Sequence, residues 1–294
     1  MSGAPGAVVR KSQMVAVMLL VYGDESMDET KERVCAVAGI IGAEEKWSAL
    51  EWKWSQRTNG IPFHANHCDS DQGDYENRPH WENKALYRDL AILLANSGLA
   101  GFGQAIDLAA KKVVFPESED LSYYTAFQRV LLAMKNFAKG SHDIAEFTFD
   151  MRLESEHNAG FIYGSLRENE PDWTPYLASK ISFGFAKNNT RIQIADLLAR
   201  EAMKALDNVV GPIKRPIRKS WQALRDTDRF VVDAFSIDWF QDMKRKMPEM
   251  EKMLDMDRNS YLEWLRERNR QHNISNMFVF VDWTARRDRN KSGV

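Results

Sequence analysis

The run Val15–Tyr22 is apolar without interruption and then breaks into Gly23-Asp24-Glu25-Ser26. Val15, Val17, Val21 and Tyr22 favour a strand, and a run with no polar position fits a buried one covered on both faces. This predicts a central strand. Gly23 would loosen the backbone at its tip, where Asp24 and Glu25 emerge. Carboxylates carried on a rigid strand end suit a hard cation, whereas an ordinary Asp-Glu pair is a solvated turn.

A chain of 294 residues allows one large domain or one domain with an appendage. Its 44% hydrophobic and 28% charged residues are ordinary for a soluble globular protein. A formal net charge of -2 argues against a general polyanion binder. A nucleic-acid enzyme stays open, because divalent metals and a local basic patch can supply the positive field. The two cysteines, Cys35 and Cys68, form no CxxC pair, which fits a reducing compartment. Arg10 and Lys11 before the apolar run imitate a signal peptide, but no small-residue cleavage site follows. The run is also too short to span a bilayer. A cytoplasmic protein with no membrane partner is expected.

Met1–Gln13 reads as a loose leader. Val34–Ile41 is a second apolar strand, forming a hairpin with the first. Ala43–Gln56 is helical, with Trp47, Leu50 and Trp54 on one packed side. After Phe63-His64-Ala65 comes an acidic loop, then a helix over Trp81–Ala95, a strand over Leu99–Ile106 and a helix over Leu121–Ala138. Ala145–Asp150 alternates with period two, so Asp150 shares a face with Glu146 and Thr148 at the strand's end. A helix over Ser155–Arg167 and a strand over Lys180–Phe185 follow. Thr190 and Gln193 have the spacing of a capping box opening a helix over Ile192–Leu206. Past Gly211-Pro212 the texture changes. A domain boundary is expected near residue 210, with helices at Ile237–Met247 and Asp257–Gln271, a short apolar segment at Met277–Trp283 and a basic tail from Arg286.

This order predicts an α/β fold, a mixed sheet flanked by helices with a mainly helical C-terminal extension over residues 211–294. Asp24 ends the first strand, Asp150 ends a later one, and Asp196 sits early on the helix after the last strand. Neighbouring strands would bring all three to one sheet edge. Clustered carboxylates need counter-charge, and Mg²⁺ or Mn²⁺ suits oxygen-only ligands.

Three motifs carry a resemblance. Asp24-Glu25-Ser26 after an apolar strand, Phe63-His64-Ala65, and Ile192-Gln193-Ile194-Ala195-Asp196-Leu197-Leu198-Ala199 together resemble the family called domain of unknown function 3800. The resemblance covers about residues 14–206 and implies a ribonuclease H-like domain over 14–210. It also implies metal-dependent phosphodiester cleavage of DNA or RNA by two-metal activation of water. Asp24, Asp150 and Asp196 take the metal-ligand positions, with Glu25 and His64 in further motif positions. The chain departs from the family pattern at Met27, where glycine is usual. Ala186-Lys187-Asn188-Asn189 also lacks the expected acidic or serine residue. A fourth carboxylate is expected from Glu25, ahead of Glu51, Glu154 and Glu201.

Lys214, Arg215, Arg218, Lys219 and Arg225 around Trp221 form a candidate backbone-contacting patch. Two rival readings stand beside the nuclease. One is a zinc site drawn from His64, His67, Cys68 and His80. The other is a catalytically inactive ribonuclease H-like interaction module of a mobile-element or phage-related system. Gly-x-Ser-x-Gly and phosphate-cradling glycine loops are absent from the sequence.

Overall fold

The protein is seen in a computed structural model that describes residues 16–117, 122–151, 156–169 and 173–254. The leader, the segments expected at Asp257–Gln271 and Met277–Trp283, the basic tail and Glu154 lie outside those residues.

The described chain runs β1 (Met18–Met27), β2 (Val34–Gly42), α1 (Glu44–Thr58), α2 (Ala65–Ser70), α3 (His80–Ala95), β3 (Ala100–Asp107), α4 (Leu108–Val114) and α5 (Ser122–Ser141). It continues β4 (Ile144–Asp150), α6 (Glu156–Asn169), β5 (Leu177–Gly184), α7 (Thr190–Val210), α8 (Lys219–Arg225), β6 (Phe230–Phe235) and α9 (Ile237–Leu254). The strands form one mixed sheet in the order β5-β4-β1-β2-β3-β6. β1 is central as expected, antiparallel to β2 and parallel to β4.

Two features differ from the sequence reading. The strand does not stop at Gly23: β1 stays paired with β2 as far as Met27↔Cys35, so Asp24 lies within it. Only the pairing with β4 stops there, at Gly23↔Phe149. Gly23 is needed for space rather than for looseness, because a Cβ there would sit 2.2 Å from Cε1 of the Phe149 ring. The second difference is the boundary. β6 pairs in parallel with β3, so the 211–294 region is not simply a helical extension. The two compact units divide between Ser236 and Ile237, not near 210.

Strand alternation sorts the sheet into two faces. Val21, Gly39 and Phe149 face α5, through Val130, Met134 and Phe127. Ala38 and Ile40 face the other way, into a core built with Trp47, Leu50 and Trp54 of α1, Leu86 and Leu90 of α3, and Ile194 and Leu198 of α7. The three α1 residues recur at helical spacing and are all buried, as their periodicity predicted. α7 crosses β1, β2 and β3, and the small Gly101 and Gly103 let it approach with Leu198 and Ala202. Among the described residues no helix is long and apolar enough to cross a membrane.

Candidate functional site

The α7 face of the sheet carries the acidic residues. On β1, Leu20, Tyr22 and Asp24 point to that face, and Tyr22 packs edge-on against Trp47 with ring centroids 5.0 Å apart. On β4, Phe147 and Phe149 are buried on the α5 side, which turns Thr148 and Asp150 to the same face as Asp24. The parallel register ending at Gly23↔Phe149 makes Asp24 and Asp150 the next residues on neighbouring strands. Asp196 comes from the second turn of α7. Asp24 and Asp196 are each only 7% exposed.

Their electrostatics show that the three share one neighbourhood. Burial, and then the charges of Asp196, Glu25 and Asp150, hold the Asp24 carboxyl well above the ordinary carboxylate range. Asp196 is raised too, chiefly by burial, while His64, the Ala65 N–H and Arg200 restrain the rise and Asp150 adds to it. Each carboxylate accepts a backbone N–H: Asp24 from Glu25 at 2.7 Å, Asp196 from Ala65 at 2.8 Å and Asp150 from Ala186 at 2.8 Å. Such donors favour the charged form without neutralising it. Among the described residues no group of three or more His, Cys, Asp or Glu side chains is placed to hold a metal ion. All three side chains are anionic oxygen donors, the type that hard divalent cations take, with Asp24 and Asp196 buried and Asp150 half-buried.

His64 stands at the rim. Its Nδ1 lies 3.6 Å from Asp196 Oδ2, its side chain is 54% exposed, and it stacks on His67 with centroids 4.1 Å apart. Burial and the neighbouring His64 lower the His67 pKa. Glu25 is carried by strand alternation to the α5 side of the sheet, opposite Asp24. It acts on Asp24 through its charge.

Glu51 and Glu201, the other fourth-carboxylate candidates among the described residues, are engaged elsewhere. Glu51 accepts from Arg191 Nε at 2.7 Å, and Glu201 accepts from Arg218 Nε at 3.0 Å. Arg218 is therefore not a free surface cation, which corrects its assignment to the nucleic-acid patch. It also reaches Asp69 at 3.0 Å, and Arg200 and Lys84 meet the same carboxylate at 3.2 and 2.9 Å. Burial opposes the Asp69 charge, but Arg218 and Lys84 outweigh it and hold the pKa below the usual range. Lys214 donates to the carbonyls of Val209 and Gly211. Arg215 and Lys219 are exposed, and Arg215 lines a cleft of about 360 Å³ with Lys204, Ile217 and Trp221.

The zinc set is not assembled. Cys68 is buried, its thiol donates to the Asn83 carbonyl at 3.4 Å, and burial pushes its pKa up to about 12. His80 pairs with Asp71 at 2.5 Å.

The capping box is also corrected. Asn189 caps α7, accepting from the N–H groups of Arg191 and Ile192. Gln193 does not reach back to Thr190; it accepts from Phe63 N–H at 2.9 Å and donates to the Ala186 carbonyl at 2.7 Å. The segment Ala186–Asn189, which lacks an acidic or serine side chain, serves the site through its backbone. Sequence spacing gave no signal for that.

Fold and site together define a mixed α/β protein with a largely buried acidic cluster on one face of its sheet. No protein-family model matches the chain, and no curated protein matches it either.

Proposed function

We propose that this chain is a divalent-metal-dependent phosphodiesterase acting on nucleic acid, of the ribonuclease H-like kind and related to the domain of unknown function 3800 family. The observation that carries the reading is that Asp24 and Asp150, far apart in sequence, are turned by the β1–β4 register to one face of the sheet, the face that α7 covers with Asp196. An antiparallel β1-β2-β3 meander continued by parallel β4 and β5, with an acid on β1, one at the end of β4 and one on the helix after β5, supports the same reading.

Asp24 would hold Mg²⁺ or Mn²⁺ jointly with Asp150 and Asp196. Two such cations, when bound, supply Lewis-acid activation of water and of the leaving oxygen. The chain's own share is positioning. The Ala65 and Ala186 amides fix two of the carboxylates. His64, half-exposed beside Asp196, would contact the phosphate or carry a proton to the leaving oxygen. Arg215 and Lys219 would meet the nucleic-acid backbone without reading sequence.

The test is cleavage of labelled DNA and RNA oligonucleotides with Mg²⁺ or Mn²⁺. Replacing a direct ligand should cost at least the roughly hundredfold seen for outer-shell groups, so Asp24→Asn should remove cleavage while the circular dichroism stays native. Undiminished cleavage by that variant overturns the reading, and no cleavage by the wild type under either metal favours a non-catalytic module.

A further inference from the structure

Two loops far apart in the chain reach the acidic cluster, and one side chain joins them. In the first, the Ala65 N–H donates to Asp196 Oδ2. In the second, the Ala186 N–H donates to Asp150 Oδ1. Gln193 spans the two. Its Oε1 accepts the Phe63 N–H at 2.9 Å, and its Nε2 donates to the Ala186 carbonyl at 2.7 Å.

The partners fix which end is oxygen, since an N–H must meet Oε1 and a carbonyl must meet Nε2. A carboxamide offers an acceptor and a donor on two separate atoms; a carboxylate offers acceptors alone and an aliphatic chain neither. Gln193 is 5% exposed, so neither bond is easily replaced by water. It lies three residues before Asp196, close to one helical turn, so its hold on the loops and the Asp196 contact belong to one rigid helix. Ala186 is gripped at both polar groups, its carbonyl by Gln193 and its N–H by Asp150.

We infer that Gln193 is a positioning residue that fixes Asp150 and Asp196 relative to one another, by locking together the two loops whose amides hold those carboxylates. The inference rests on reading the carboxylates as one ligand set, and it adds a residue with no contact to substrate or metal.

Amide hydrogen exchange on the full chain tests it. In Gln193→Leu, the Phe63, Ala65 and Ala186 amides should exchange about tenfold faster or more, the size expected for losing one buried hydrogen bond. Amides of the β1–β2 ladder should keep their wild-type rates. Gln193→Glu at neutral pH keeps the acceptor for Phe63 but faces the Ala186 carbonyl with a second acceptor. It should speed Ala186 about tenfold and leave Phe63 within threefold. Unchanged exchange at Ala65 and Ala186 in Gln193→Leu overturns the inference. If that variant does not fold, equal loosening of both loops, or of neither, in Gln193→Glu overturns it. Mn²⁺ titration followed by electron paramagnetic resonance separates the two levels. Weaker Mn²⁺ binding by Gln193→Glu supports the positioning role. A wild type that binds no Mn²⁺ removes the metal reading, whereas the exchange pattern alone decides whether Gln193 locks the loops.

Discussion

α7 borders two groups of charged residues that are built on opposite terms. Around Asp24, Asp150 and Asp196, carboxylates face carboxylates, and both Asp24 and Asp196 are held above their ordinary range. One turn further along the helix, Arg200 and Glu201 join Asp69, Lys84 and Arg218, and there carboxylates face guanidinium and ammonium groups. Asp69 is correspondingly depressed. Glu201 stays raised because it is fully buried, although Arg218 pulls it down. Both groups cost desolvation. The second offsets that cost with opposite charges, whereas in the first the acidic neighbours of Asp24 add to it. That asymmetry, more than acidity as such, is what singles out the first as the candidate site.

The largest stability effect should come from breaking the balanced group. Arg218→Leu leaves Asp69 and Glu201 buried without a main partner and should destabilise the fold by about 3–5 kcal/mol in urea titration. A loss below about 1 kcal/mol would mean that the two groups differ less than their geometry implies.

A smaller effect of opposite sign is expected at the unbalanced group. Asp24→Asn relieves repulsion and should stabilise the metal-free fold by about 0.5–2 kcal/mol at neutral pH, while removing metal-dependent cleavage. Because the folded Asp24 carboxyl is raised, its contribution to stability is complete below the ordinary carboxylate pKa. It is lost as pH rises through the folded value. The advantage of Asp24→Asn should therefore grow with rising pH and vanish in acid, as read from melting curves between pH 4 and 8. Asp69 works in the other direction, its contribution being present above the ordinary pKa and lost as pH falls through the depressed folded value. An Asp24→Asn protein that gains nothing at pH 8 would show that the acidic cluster is already neutralised.

The smallest effects belong to the surface. Arg215→Glu with Lys219→Glu should leave the melting temperature nearly unchanged, weaken binding to an oligonucleotide and flatten its salt dependence. An unchanged slope removes these two cations from the interface.

Much of this was legible before any coordinates, and the legible part has a pattern. Period-two alternation put Asp150 on its face, and an unbroken apolar run made β1 central. Trp47, Leu50 and Trp54 recurred at helical spacing and are core. Each of these follows from local periodicity. What escaped depended on distant partners. Nothing near Arg218 in sequence announces Asp69, 149 positions away. Gln193 satisfied a local capping pattern, but the stronger competition came from Phe63, 130 positions earlier. β6 was missed because its burial is only partial along an edge, with Val231 exposed, so its apolar signal is weak. The expected functional role of Gly23 rested on chain freedom, and Phe149 shows that its true constraint is bulk.

α7 anchors one loop pair through Gln193, the cluster through Asp196, and the balanced ion group through Arg200 and Glu201. Each added residue turns everything beyond it by about 100° around the helix axis. A single insertion or deletion between Gln193 and Glu201 would therefore rotate one set of partners away from the other. Across those nine positions the helix can accept a change of side chain, but not a change of length without parting one set of partners from the other.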